Sequence, residues 1–189
     1  MFFVAKGRWA LLAALFISAA YAQVPEKAAT CAGCHGADGN SATAGTPSIA
    51  AQPKIFVENY LVMTREGIRG TAVMQGLLKG VPDKEIVALA KHFSALPSKL
   101  NSEPIDKKLF QRGKQIASNN RCGSCHDKTF RGKEQMPRLA GQREEFLAEV
   151  MLQYRQNRRL GGDSIMTASL QGIDEADFKA LAHYCSRLK

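Results

Sequence analysis

The chain has 189 residues, with 26 lysines and arginines against 17 acids, a formal charge of +9 and a hydrophobic content of 45%. That composition is globular and excludes collagen-like, coiled-coil and intrinsically disordered chains. Five cysteines are too many for an ordinary cytosolic enzyme and too few for a disulfide-dense miniprotein.

Residues 1–22 are predicted to be a secretory signal peptide. Lys6 and Arg8 form a basic head, Trp9 to Ala20 is an apolar run broken only by Ser18, and Ala20-Tyr21-Ala22 is a small-x-small cleavage signal. The mature chain is expected to begin near Gln23, with a charge of +7. An exported protein works outside the cytoplasm, in a bacterium the periplasm, so nucleic acid is not the expected partner of this basic chain. No later apolar run is long enough to span a bilayer, and no stable membrane insertion is expected.

The remainder repeats itself. Cys31-Ala32-Gly33-Cys34-His35 returns as Cys122-Gly123-Ser124-Cys125-His126, 91 residues later. Thr46-Pro47-Ser48-Ile49-Ala50-Ala51-Gln52 is answered by Met136-Pro137-Arg138-Leu139-Ala140-Gly141-Gln142, Arg69 by Arg159, and Met74 by Met166. The chain therefore divides into a first domain at 23–97, a polar linker at 98–103 and a second domain at 104–189. Each half is small for a self-sufficient hydrophobic core, which calls for a staple.

Both halves read as helical. Apolar residues recur at helical spacing over Ile55–Glu66 and Asp83–Ala95, and again over Phe146–Arg155 and Glu175–Leu188. A further helix over Asp106–Ala117 precedes the second cysteine pair. Gly36 to Gly45 and Gly161-Gly162 read as loops, and Met74 and Met166 are expected in loops before the terminal helices. No run has the period of two that marks a strand.

Cys-x-x-Cys-His is the attachment motif for c-type haem. Two thiols three positions apart add to the two vinyl groups of one porphyrin, and the adjacent imidazole lies under the iron. Cys31 and Cys34 are thus expected to hold one haem, and Cys122 and Cys125 a second. His35 and His126 are the proximal iron ligands. A covalent haem is also the staple that the small halves need. The rival readings are a shared zinc site, a thioredoxin-like redox pair and structural disulfides. They fit less well, because each motif ends in His and sits in its own repeat without a βαβ pattern. The matched Met74 and Met166 are the candidate sixth ligands; thioether opposite imidazole closes the iron and raises its potential. His92 and His183 fall out of register and read as packing or surface residues. Cys185, opposite Phe93, reads as a small buried hydrophobe. Carbonyls near Pro47 and Pro137 are candidates to accept the proximal imidazole N–H. Gln52, Gln142, Arg69 and Arg159 are candidates for haem propionate contacts.

The stretch CAGCHGADGNS from Cys31 to Ser41 and PRLAGQ from Pro137 to Gln142 resemble the tandem two-haem cytochromes c of the c-four type. Pro47 to Ala50 followed by Phe56-Val57-Glu58, Thr71-Ala72-Val73-Met74, and Tyr154-Arg155 with Arg158-Arg159 look more like the cytochrome subunit of flavocytochrome c sulfide dehydrogenase. The resemblance implies an all-α fold. It implies two class I cytochrome c domains related by pseudo-twofold symmetry, each wrapped around one covalent haem, with the haems near the interface. It also implies electron transfer without a catalytic site of the chain's own, the donor being a periplasmic flavoprotein carrying FAD. The alternatives are a free-standing carrier to a terminal oxidase and, further off, a two-haem peroxidase or thiosulfate dehydrogenase. Only about eight mature residues precede Cys31, which shortens the first domain's N-terminal helix. Residues 23–97 carry a net +1 and residues 104–189 a net +6, so the second half is the one suited to steer an acidic partner.

Overall fold

The computed structural model describes residues 24–189; the expected signal peptide at 1–22 lies outside them. Eight α-helices are present among the described residues: α1 (Ala28–His35), α2 (Lys54–Arg65), α3 (Ala72–Leu78), α4 (Asp83–Ala95), α5 (Lys107–Asn119), α6 (Glu144–Arg155), α7 (Ser164–Leu170) and α8 (Phe178–Ser186). Short 3₁₀ turns cover Cys122–Ser124 and Glu175–Asp177. The only strand-like pairing described is one isolated bridge between Lys133 and Met136. No helix among the described residues is long and apolar enough to cross a membrane.

The helices start where local chemistry lets them. α4 places Asp83 and Glu85 in its first turn, and α6 places Glu144 and Glu145 there, against the positive end of the helix dipole. α5 is capped by Asp106, whose carboxylate accepts the Lys108 and Leu109 amides. The predicted terminal helix of the second half is divided in the structure. A 3₁₀ turn capped by the Asp174 side chain comes first, and α8 follows from Phe178.

Two separate cores result. In the first half Val57, Leu61, Ile86, Leu89 and Phe93 pack α2 against α4, with Ala28 of α1 at the margin. In the second half Ile116, Leu147, Phe178 and Leu181 gather α5, α6 and α8. The halves differ at one place. Among the described residues α5 has no counterpart in the first half, where the eight-residue α1 spans the cysteine motif itself. α1 is tied to α4 by the Lys27 amide, which donates to Glu85 Oε1 at 3.0 Å.

The two halves are clasped by a reciprocal set of hydrogen bonds. Ser48 N donates to Gln142 Oε1 at 2.7 Å, and Gln142 Nε2 donates back to Ser48 O at 2.8 Å. Arg138 N donates to Gln52 Oε1 at 2.9 Å, and Gln52 Nε2 donates to Arg138 O at 3.1 Å. Ser48 matches Arg138 in the repeat and Gln52 matches Gln142, so one half does to the other what the other does to it. That reciprocity is the signature of a twofold interface. Each loop is also anchored to its own terminal helix, Ala51 N to Phe93 O and Gly141 N to Cys185 O, both at 3.0 Å. Both glutamines are almost fully buried. Gln142→Ala therefore strands the Ser48 N–H and C=O in a dry seam, at about 1–3 kcal/mol for a buried unpaired group. The expected outcome is a calorimetric trace that separates into two transitions, one for each half.

Candidate haem sites

Each Cys-x-x-Cys-His motif closes a helical segment. In the first half Cys31 and Cys34 lie on α1 and His35 ends it, with Gly36 at φ +85° turning the chain away. A Cβ at Gly36 would stand 2.5 Å from Asn40 O, so the turn requires glycine. In the second half Cys122 opens a 3₁₀ turn after Arg121, which adopts φ +52°. The exposure pattern is the same in both motifs, the first cysteine half-buried and the second exposed. No disulfide joins any of the five cysteines among the described residues, which removes the disulfide reading there. Nor do the pairs converge on a zinc site: among the described residues no group of three or more His, Cys, Asp or Glu side chains is placed to hold a metal ion.

The two histidines are buried in matching ways. His35 Nδ1 lies 2.8 Å from Pro47 O, and His126 Nδ1 lies 3.0 Å from Pro137 O. A carbonyl only accepts, so Nδ1 carries the proton and Nε2 keeps its lone pair for a metal. Burial pushes both imidazoles below their ordinary pKa, opposed by those same carbonyl bonds. Both rings are therefore neutral near pH 7, the form that binds iron.

Met74 and Met166 lie in helices rather than in the loops expected from the sequence. Each is the third residue of a seven-residue helix, α3 or α7. The start is set by a side chain three positions earlier: Thr71 Oγ1 accepts the Met74 amide at 3.3 Å, and Asp163 Oδ1 accepts the Met166 amide at 3.0 Å. Each methionine is partly buried against the core of its own half. Asp163→Ala removes the cap of α7 and costs about 1 kcal/mol. Amide hydrogen exchange at Met166 should accelerate, with no change at Met74.

Other sequence candidates separate cleanly. His183 has both ring nitrogens engaged: Nδ1 faces Glu144 Oε2 at 2.9 Å, and Nε2 accepts the Asp106 amide at 3.0 Å. It is a satisfied packing residue that ties the start of α5 to α8 and α6. His92 sits edge-on to Phe93 and half-exposed. Cys185 is buried, its thiol pushed well above the ordinary range by that burial. Gln52 and Gln142 are corrected from propionate contacts to the interdomain clasp. Their amides are already spent on backbone groups of the opposite half, and the sequence signal for this was only that both halves carry Gln at the same place.

Arg69 and Arg159 behave differently. Arg69 stacks on Tyr60 at 5.4 Å and donates across the seam to Tyr154 Oη at 3.4 Å; Arg159 stacks on Tyr154 at 5.3 Å. The Nε atoms of both arginines are buried without a hydrogen-bond partner. Buried donors rarely go unpaired, and carboxylates such as haem propionates would satisfy them. With paired thiols, buried neutral imidazoles and these orphaned donors, the residues present fit covalent haem in each half.

Comparison with known proteins agrees with this chemistry. The cytochrome c family profile matches residues 110–189. The chain is 30% identical to the thiosulfate dehydrogenase electron acceptor of Thiomonas intermedia, over 93% of this chain and 87% of that protein. It is 39% identical to the cytochrome subunit of sulfide dehydrogenase from Chlorobaculum tepidum, over 37% of this chain and 63% of that protein. Among solved structures it resembles reduced cytochrome c4 from Pseudomonas stutzeri, with a TM-score of 0.79 and 25% identity, covering 86% of this chain and 95% of that one.

Proposed function

The chain belongs to the cytochrome c family, among its tandem two-haem members of the c4 type, and from that premise we propose that it accepts electrons from a periplasmic dehydrogenase of an inorganic sulfur compound. It is an electron carrier with two covalently bound haem c groups, which supply one-electron redox chemistry. In this reading the first domain, 23–97, holds its haem through Cys31 and Cys34, with His35 and Met74 on the iron. The second domain, 104–189, does so through Cys122 and Cys125, with His126 and Met166. The signal peptide at 1–22 directs the chain to the periplasm.

The chain's own residues perform three tasks. Pro47 O and Pro137 O hold the Nδ1–H of each imidazole, so that Nε2 presents a lone pair in a fixed direction. Thr71 and Asp163 fix the start of the helices that carry the two thioethers. The Gln52 and Gln142 clasp holds the two halves, and so the two sites that would carry the haems, in one unit.

The observation that carries the sulfur assignment is the likeness to the Thiomonas intermedia acceptor along nearly the whole chain. The shorter match to the cytochrome subunit of sulfide dehydrogenase supports a sulfide-oxidising donor, and the resemblance of Pro47 to Ala50 and Thr71 to Met74 to the flavocytochrome subunit makes that donor a flavoprotein carrying FAD. A second reading, a free-standing carrier to a terminal oxidase, is favoured by the near-complete overlap with cytochrome c4. Purification of the untagged protein from its native periplasm separates them. Co-elution with a flavoprotein in fixed ratio, and haem reduction driven by sulfide, supports the flavoprotein donor. Reduction driven by thiosulfate through a separate dehydrogenase keeps the sulfur assignment and removes the flavin. A lone species reduced by neither compound leaves the free carrier.

A further inference from the structure

We propose that the seam between the two halves contains a binding site for a small oxyanion, of the sulfate or phosphate type, centred on Arg138. Arg138 is 97% shielded from solvent, at 3% exposure. Its guanidinium reaches only neutral carbonyls: Nη2 donates to Ala50 O of the other half at 2.9 Å, Nη1 donates to Ala140 O, and Nε has no partner. Among the described residues no carboxylate lies within ion-pair distance of it. Burial lowers its pKa to about 10, so it remains a cation at neutral pH.

An unpaired buried charge is costly, and two carbonyl bonds offset only part of that cost. The missing element is an anion. The groove into which Arg138 faces is built for one. Arg131 lines it as a further cation, and no Asp or Glu lines it. Lys99 is at its edge, already paired with Asp38 at 2.5 Å. The wall is made of small residues, Ala51, Ala140 and Gly141. A Cβ at Gly141 would stand 3.5 Å from Arg138 Nη1 and 3.4 Å from Lys99 O, on a backbone with φ +65°. These are ordinary contacts, so it is the positive φ that calls for glycine beside the guanidinium.

This guanidinium is distinct from those that fit haem propionates. The carbonyl of the preceding residue, Pro137, faces the His126 ring, whereas the Arg138 side chain faces the linker and the chain's last residues, with Pro97, Leu100 and Leu188 around it. The backbone of Arg138 is half of the Gln52 clasp. An oxyanion held here therefore rests on the residue that joins the two domains, and its binding should stabilise the joined form.

The test is calorimetric titration of sulfate into the haem-loaded full chain, at ionic strength held constant with chloride. The expected result is one site, with affinity reduced about tenfold or more by Arg138→Gln, as expected for loss of a charge-assisted pair. Arg131→Ser at the exposed rim should also weaken it without risk to the fold, and Lys114→Ser on the outer face of α5 should leave it unchanged. Sulfate should raise the unfolding temperature of the wild type and of Lys114→Ser but not of Arg138→Gln. Absence of a sulfate heat in the wild type overturns the proposal. So does equal weakening by all three variants, which would mean a diffuse surface field. If Arg138→Gln changes the haem spectrum and leaves sulfate binding intact, the guanidinium serves a propionate and the proposal fails. If sulfate does not bind but both arginine variants slow reduction by the dehydrogenase, the groove belongs to an acidic partner and the proposal again fails.

Discussion

Met166→Ala is expected to open the second iron site to carbon monoxide while the first stays closed, and Met74→Ala to do the reverse. The expectation follows from the proposed ligation: thioether opposite imidazole leaves no free position, and its loss leaves a five-coordinate iron. Because methionine opposite histidine raises the potential, the potential of the altered site should fall and its neighbour's should move little. The helices that carry the methionines keep their caps, since Thr71 and Asp163 are untouched, so the effect reports ligation rather than unfolding. Carbon monoxide difference spectra of the reduced variants, together with a redox titration, check this. An unchanged spectrum in Met166→Ala would remove Met166 from the ligand set. Ready carbon monoxide binding by the wild type would favour the peroxidase-like alternative over the carrier.

Gly113→Leu should be the most damaging packing change in the second half. Gly113 lies on α5 where it crosses α8, and a Cβ there would stand 2.1 Å from Ala180 O and 2.6 Å from Tyr184 Cβ. Neither atom is the free end of a flexible side chain. The helices must separate, which loosens Ile116, Ala117 and Leu181 in the core beneath them. Overpacking of this kind costs about 3 kcal/mol or more when backbone has to move. For a unit of this size, ~3 kcal/mol corresponds to a fall of roughly 12–24 °C in unfolding temperature. Among the described residues the first half has no equivalent helix crossing. In the Gln142→Ala background, where the clasp no longer couples the halves, differential scanning calorimetry should therefore show the second half's transition moving down and the first half's staying in place. Equal shifts in both would mean that the halves still unfold as one unit.

The sequence carried a great deal of this protein. The duplicated Cys-x-x-Cys-His motif names its chemistry because haem attachment needs thiols at one local spacing beside one imidazole, and spacing is a property of the chain. The longer helices were legible for the same reason: the apolar period over Asp83–Ala95 runs long enough to mark both ends, and α4 has those bounds. The proline carbonyls were also within reach, since each follows its histidine by a short loop. Tertiary structure alone decided the rest. α3 and α7 span two turns each, too short for periodicity to register, and a capping side chain with docking on the core makes them helices. Gln52 and Gln142 look like any polar pair in the repeat until the halves meet, when each amide finds a backbone 86 or 94 residues away. Arg138 reads as one more positive charge in a basic half, yet contact with Ala50 of the other half buries it. Chemistry set by neighbouring residues can be read along the chain, whereas burial and partnership depend on surfaces that only folding brings together.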